Sequence, residues 1–510
     1  MIRTQVKNTI HRLLINTLIV FVLMTPGAAL AEDPKLDTKE QQIAPTAFAD
    51  EKPKPVLSWG EGDGKSYIVP ALDIAGFLVL LNQFDRNFLA SDDYHSNYSS
   101  FEDNLTGAWV VDNDPFDINQ FMHPYAGSMY FGFARSAGLD YWSSLGYSAA
   151  GSLMWELAGE KTPPAYNDEF TTGFGGAILG EPLYRMASLL LESGDGKPGV
   201  WRELGAAAIS PPTGFNRMAY GKRFKGVFRS NNPAVFTRLQ LGVNLNANVS
   251  SDVNRNSNPE EAPIPQSYQK GEPILDFNIS YGLPGKPGYT YTRPFDYFDF
   301  QFTASGSNVF ENVMSRGLLL GKDYSHGDNY RGVYGLYGTY DYIAPQVFRV
   351  STSGLGLGTT GQWWLSRRVA LQGTALAGVG YGSAGTIHGE GERDYHNGIS
   401  PQGLLATRFI FADRASLDFE LRDYYISGLA SKESDGTENI IRGVATLTVR
   451  VYNLHGITVR YTISQRDAQY GDLPDTRQTV SAISLGYTYL GQTRFGAVDW
   501  RSKHDGGPNP

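Results

Sequence analysis

"AVFTRLQLGVNLNANV", residues 234–249, decides the fold. Leu239, Leu241, Val243, Leu245 and Ala247 alternate with Arg238, Gln240, Gly242, Asn244 and Asn246. A period of two sustained this long is what a tilted strand needs to cross a bilayer, apolar side to lipid and polar side to a lumen. The pattern recurs in Phe298, Phe300 and Phe302 against Asp299, Gln301 and Thr303, and in Leu417, Phe419 and Leu421 against Asp418, Glu420 and Arg422. It is clearest in Ala445, Leu447, Val449 and Val451, in Ile457, Val459, Tyr461 and Ile463, and in Ile483, Leu485, Tyr487 and Tyr489.

Residues 222–490 therefore predict a transmembrane antiparallel β-barrel of about twelve strands, an even number as bacterial barrels prefer. Tight "ADRA" and "NLHG" turns alternate with polar stretches 383–400, 428–438 and 466–478, as periplasmic turns alternate with external loops. The short "IAP" at 343–345, where a long loop is due, leaves ten or fourteen strands open. A chain with 58 Gly, 30 Tyr and 27 Phe fits a barrel, and alternation explains how its mean hydropathy stays at −0.29.

Arg3, Lys7 and Arg12, the apolar run "LLINTLIVFVLM" and the small residues Ala29 to Ala31 have the layout of a secretory signal peptide over residues 1–31. Without it, the formal net charge moves from −9 to −12, which argues against a nucleic-acid partner. With no cysteine, Cys-based metal sites, thiolate nucleophiles and disulfides are excluded. The eight His form no metal-ligand spacing, and no cofactor or metal is expected. Residues 32–57 read as a flexible linker and 491–510 as a C-terminal tail.

Residues 58–221 read as a small helical domain. "YIVPALDIAGFLVLLNQFDRNFLA" (67–90) predicts a helix with Pro70 in its first turn, followed by polar loop over 91–118. Residues 136–159 and 168–192 predict small-residue-rich helices. Gly176 and Gly180 are spaced for close helix approach, Asp168 reads as an N-cap, and Pro182 as a kink or restart. "PGVWRELGAAAI" predicts a short helix and "SPPTGFNRMAYG" (210–221) an irregular exit.

Within this block, His123-Pro124, Arg135-Ser136, Trp155-Glu156, Pro163-Pro164, Asp168, Gly180-Glu181, Arg185 and "SPPTGFNR" (210–217) resemble a bacterial family catalogued as domain of unknown function 3943. The resemblance covers residues 119–221 and implies no activity.

His123 is the best candidate for a general base, and a lipid acyl hydrolase would use it. Nearby serines sit in no G-x-S-x-G elbow, and His388 and His396 read as parts of an external loop. Pro124 disfavours helix at His123, which suits a connecting segment whose ring bonds Glu156 or Glu181. Arg135, Glu156, Asp168, Glu181 and Arg185 form a candidate polar cluster, read first as a packing network with Glu181 and Arg185 paired at i,i+4. Arg238, Arg408, Asp418, Glu420, Arg422, Arg450 and Arg460 fall on the lumen phase, fit for a salt-bridged interior or a narrow pore.

The sequence thus predicts an outer-membrane barrel of the Gram-negative envelope with its helical domain on the periplasmic side. The function expected is transport or lipid handling without covalent chemistry, with outer-membrane lipid and a small-molecule or lipid cargo as partners. The alternatives are the His123 hydrolase and a structural envelope component with an occluded barrel.

Overall fold

The computed structural model describes residues 65–88, 92–112, 114–193, 198–253, 267–386, 395–428, 436–470 and 475–501. The signal-peptide and linker segments lie outside them, as does His388.

Twelve antiparallel strands close into a barrel in strict chain order, β1 hydrogen-bonding to β12. They are β1 (Val235–Val253), β2 (Ser267–Tyr281), β3 (Phe298–Ser305), β4 (Asn312–His326), β5 (Tyr330–Ile343) and β6 (Phe348–Trp364). The circuit continues with β7 (Val369–Thr386), β8 (Tyr395–Phe411), β9 (Ala415–Ile426), β10 (Gly436–Tyr452), β11 (His455–Tyr470) and β12 (Thr476–Leu490). Barrel closure leaves no unpaired edge, which a bilayer requires of a β structure. Along β10 and β11 the expected phase holds: Leu447 and Val459 are exposed on the outside, while Thr446, Thr458 and Arg460 are buried inside.

The end where β1 starts and β12 finishes, here the near end, carries tight turns such as 412–414 and 453–454. It also carries the long β2–β3 connection, residues 282–297. At the far end the β5–β6 connection is the short segment 344–347, as the "IAP" stretch indicated, without changing the strand count. His396 belongs to β8 rather than to an external loop, since the pairing with β7 extends to it, opposite Ala384.

The helices are α1 (Ile68–Phe88), α2 (Tyr98–Thr106), α3 (His123–Ser136), α4 (Tyr141–Ala158), α5 (Tyr166–Phe170), α6 (Gly176–Glu192), α7 (Val200–Ile209) and α8 (Pro211–Ala219). π-helical turns at 118–122 and 171–175 lead into α3 and α6. Several expectations change here. The polar stretch 91–118 contains α2, capped by Asn97, whose side chain accepts from the Ser99 and Ser100 N–H groups. The stretch around His123 is helical, because Pro124 occupies the first turn of α3, where its missing N–H costs little. The "SPPTGFNRMAYG" stretch is helical for the same reason, with Pro211 and Pro212 opening α8. Asp168 lies inside α5 and caps nothing. Pro182 stays within a continuous α6, and the break comes earlier, at the π-helical turn.

The helices are packed along the outer wall of the barrel. Phe277, Ile279, Phe298, Phe300 and Phe302 point outward on β2 and β3, yet they are buried in one apolar core with Phe116, Phe121, Phe131, Ile178, Leu179 and Met186 of the helical layer. The sequence phase of these phenylalanines was right, but their solvent is protein instead of lipid. α6 lies on the wall, α3 packs on α6, and α1 and α4 pack on α3. The α3–α6 crossing is close: a Cβ on Gly127 would meet the Thr172 carbonyl oxygen at 1.9 Å, and one on Gly176 would meet Gly127 at 2.6 Å.

Candidate functional site

Two features could carry function, the seam between helices and wall and the barrel lumen. At the seam, two helix prolines create the contact. Pro182 cannot give an N–H to the Ile178 carbonyl, and Ser315 Oγ of β4 donates to that carbonyl instead at 2.6 Å. Pro124 likewise leaves the Gln120 carbonyl without its α-helical donor, and Tyr340 of β5 supplies a hydroxyl at 2.8 Å. Ser315 and Tyr340 are direct cross-strand partners, so one patch of wall answers both helices.

The expected polar cluster divides into two. At the near end, Glu181 accepts from Arg135 Nε at 2.6 Å and Nη2 at 3.0 Å, and from Arg185 Nε at 2.7 Å. Arg185 continues to Asp296 at 3.1 Å and to the Pro294 carbonyl at 2.6 Å, both in the β2–β3 connection. Arg135 also stacks over the Tyr184 ring, 4.6 Å from its centroid. The carboxylate is completely buried and fully paired, which makes this a packing network. Glu156 and Asp168 lie towards the far end without those arginines. Glu156 Oε2 accepts from the Ala165 N–H at 2.8 Å, and Asp168 Oδ1 from Asn167 Nδ2 at 2.8 Å. Beside them, in the α4–α5 loop, burial pushes Glu160 up to about 7 while Trp155 and Thr162 hydrogen-bond its carboxylate.

His123 pairs with Thr172, Nδ1 to Oγ1 at 3.0 Å, and bonds neither Glu156 nor Glu181. The contact joins the start of α3 to the π-helical turn 171–175. Glu156 is engaged by backbone and Glu181 by arginines, so neither orients the ring as a base would require. Among the described residues, no group of three or more acidic or His side chains is arranged to hold a metal.

The lumen is filled in three layers. A central belt of charge spans the barrel: Arg238 reaches Asp418 at 3.2 Å, Arg460 reaches Asp276 at 2.6 Å, and Arg316 reaches Asp341 at 2.7 Å. Arg422 binds Glu420 at 2.5 Å and crosses to Gln301 at 2.6 Å and Asn312 at 2.8 Å, while Arg408 pairs with Asp418. Six of the seven predicted lumen residues are in this belt. Arg450 instead lies at the near-end rim, paired with Asp413, because its strand has already reached the turn. Asp276, Asp341 and Arg316 were missed, although Asp276 sits on legible alternation, while Gln301 falls on the predicted polar phase.

Apolar layers close both ends. The tail after β12 turns back into the near end, burying Phe495, Ala497 and Val498 against Phe236, Leu318, Tyr337, Trp364 and Leu376. Gln362 Nε2 and Trp364 Nε1 donate to the Val498 carbonyl at 2.6 and 3.0 Å, and Gln372 Nε2 to the Gly496 carbonyl at 2.8 Å. At the far end Ile343, Val347, Phe348, Val350, Tyr424, Ile426 and Ile440 form the second seal. The cavity left within the belt is about 90 Å³, lined by Arg238, Asn278, Asp299, Arg408 and Asp418 among others. That is well below the roughly 300 Å³ at which ligand pockets begin.

Comparison with known proteins follows the same division. Residues 108–212 match the model of the family described as Domain of unknown function (DUF3943). No curated protein sequence matches the chain. Among solved structures, the barrel is similar to the Pseudomonas putida toluene transporter TodX (11% identity, 51% of this chain and 90% of that chain, TM-score 0.20). A Pseudomonas aeruginosa FadL homologue gives 10% identity, 51% and 92% coverage and a TM-score of 0.22. The outer membrane protease OmpT from Escherichia coli gives 9% identity, 50% and 96% coverage and a TM-score of 0.21. Residues 108–212 thus match the DUF3943 family model and are joined in one chain to a closed twelve-strand antiparallel β-barrel.

Proposed function

We propose that the protein handles lipid at the hydrocarbon face of a Gram-negative outer membrane, with neither an aqueous pore nor covalent chemistry. The observation that carries this reading is the closed lumen: two apolar seals enclose a belt of cross-barrel ion pairs, leaving the outer wall and its helices as the working surface. The near end faces the periplasm, since both barrel termini and the tightest turns gather there. His123, bonded to a threonine hydroxyl and lacking an orienting carboxylate, is a helix contact on this reading.

The same closure favours a second reading, a structural envelope component with an occluded barrel. Planar-bilayer recording and mass spectrometry of co-purified lipid separate the possibilities. Lipid handling predicts a silent bilayer and one lipid class enriched over the surrounding membrane. A silent bilayer with membrane-average lipid supports the structural role, and steady single-channel current defeats both.

A further inference from the structure

The helical layer is built with its polarity reversed. In α1, Asp73, Asn82 and Asp85 are buried, whereas Leu72, Val79, Leu80, Phe84 and Phe88 face outward, Leu80 with 71% exposure. In α4, Ser144, Ser148, Ser152 and Glu156 recur every fourth residue on the buried side, and Trp142, Leu153 and Met154 face outward. A helix in water does the opposite and hides its apolar stripe. A helix in lipid turns apolar residues outward and bonds its polar groups internally. Several of these groups are bonded internally: Asn82 donates to the Tyr94 and Gly159 carbonyls at 2.9 and 2.7 Å, Tyr220 donates to Asp73 Oδ1 at 2.7 Å, and Ser148 donates to the Gly127 carbonyl at 3.0 Å. The carbonyls freed by Pro124 and Pro182 are satisfied by wall hydroxyls, as prolines in spanning helices require.

Depth points the same way. The segment leading into α3 begins at the far-end rim, where the Phe121 ring packs against those of Phe310 and Tyr342. α3 ends at the near-end rim, where Arg135 connects through Glu181 and Arg185 to Asp296. α1 packs along α3 through Ile74 and Phe77 against Tyr130 and Phe133. Its outward face therefore stands at the level of the barrel's own lipid-facing residues Leu241, Val243, Leu447 and Val459. The 21 residues of α1 span about 31 Å, close to a hydrocarbon core of about 30 Å.

We propose that the helical layer is membrane-embedded: the outward faces of α1 and α4 lie against acyl chains beside the barrel, at the depth of its lipid band. The polar residues of α1 also make this compatible with export. Asp73, Asn82 and Asp85, set either side of the helix centre, raise the cost of stopping in the inner membrane, so the segment passes it and becomes lipid-facing only when docking buries them. The proposal is independent of whether the chain handles lipid.

The cysteine-free chain permits a direct test. Nitroxides are placed singly through Val79→Cys, Leu80→Cys and Leu153→Cys, with Leu447→Cys on the barrel band and Arg368→Cys in a near-end turn as references. Each protein is reconstituted in phosphatidylethanolamine–phosphatidylglycerol vesicles, and folding is verified by heat-modifiable migration. Relaxation by oxygen is compared with relaxation by a water-soluble nickel chelate. Oxygen dominates at the three helix positions as at Leu447, and nickel at Arg368. Nickel dominance at Val79, Leu80 and Leu153 overturns the proposal, and Leu447 then tells whether the barrel assignment falls with it.

Discussion

Ser315 and Tyr340 stand opposite each other on β4 and β5, and each hydroxyl occupies a helix carbonyl that a proline leaves without its α-helical donor. Both residues are fully buried, so removing either hydroxyl strands a carbonyl in an apolar seam at about 1–3 kcal/mol. Ser315→Ala should loosen the helical layer by that amount in a denaturant titration. Pro182→Ala restores the missing N–H, so Ser315→Ala on that background should cost clearly less. Equal losses on both backgrounds would refute the proline explanation.

The ion pair between Arg185 and Asp296 is the electrostatic counterpart at the near end, with both side chains 1% exposed. Asp296→Asn keeps the shape and removes the charge, and losing one partner of a buried pair costs about 3–5 kcal/mol. The helical circular-dichroism signal should then melt ahead of the heat-modifiable barrel band. Simultaneous melting contradicts the reading that Arg185 ties the helices to the β2–β3 connection.

Outward-facing barrel positions should fall into two classes. Val459 meets lipid, and Val459→Arg should lower barrel stability by roughly 2–4 kcal/mol while leaving the helices docked. Phe300 is buried under the helical layer, so Phe300→Arg should also expose the helices to limited proteolysis. If both variants show the same cleavage pattern, the helices do not cover β3.

His123→Gln retains a group able to bond Thr172 Oγ1 and should preserve both folding and envelope function. Complementation of a deletion strain at matched protein levels checks this. A well-folded variant without function would revive the hydrolase.

Two seals should make channel opening a two-step matter. Deleting residues 491–510 removes the near-end seal, but the charged belt and the far-end cluster remain, so planar bilayers should stay silent. Combining the deletion with Val347→Asp and Phe348→Asp, and with Arg422→Ala to break the belt, should bring conductance. Current after tail deletion alone would mean that the far end is already open.

Period-two alternation made the strands, their phase and the charged lumen legible, because side-chain direction along a strand is local geometry. Arg238, Asp418, Glu420, Arg422 and Arg460 were identifiable as lumen residues for that reason. The Glu181–Arg185 pair was readable too, being one helical turn apart. His123 was misplaced because the rule about residues before proline is a local tendency, and the preceding π-helical turn overrode it.

What the sequence by itself determined is the barrel, its facing and the presence of a small-residue helical block, all of which follow from repeating local patterns. Only the tertiary structure decided that the helices clothe the wall from β2 to β6, that Arg185 meets Asp296, and that the tail fills the near end. These depend on residues about 110 to 136 positions apart in the chain, and no periodicity links such positions. An outward Phe looks the same in sequence whether lipid or a helix covers it, since both bury the same apolar area. The difference lies in backbone complementarity, two wall hydroxyls meeting two proline-freed carbonyls, which exists only once the chain has folded.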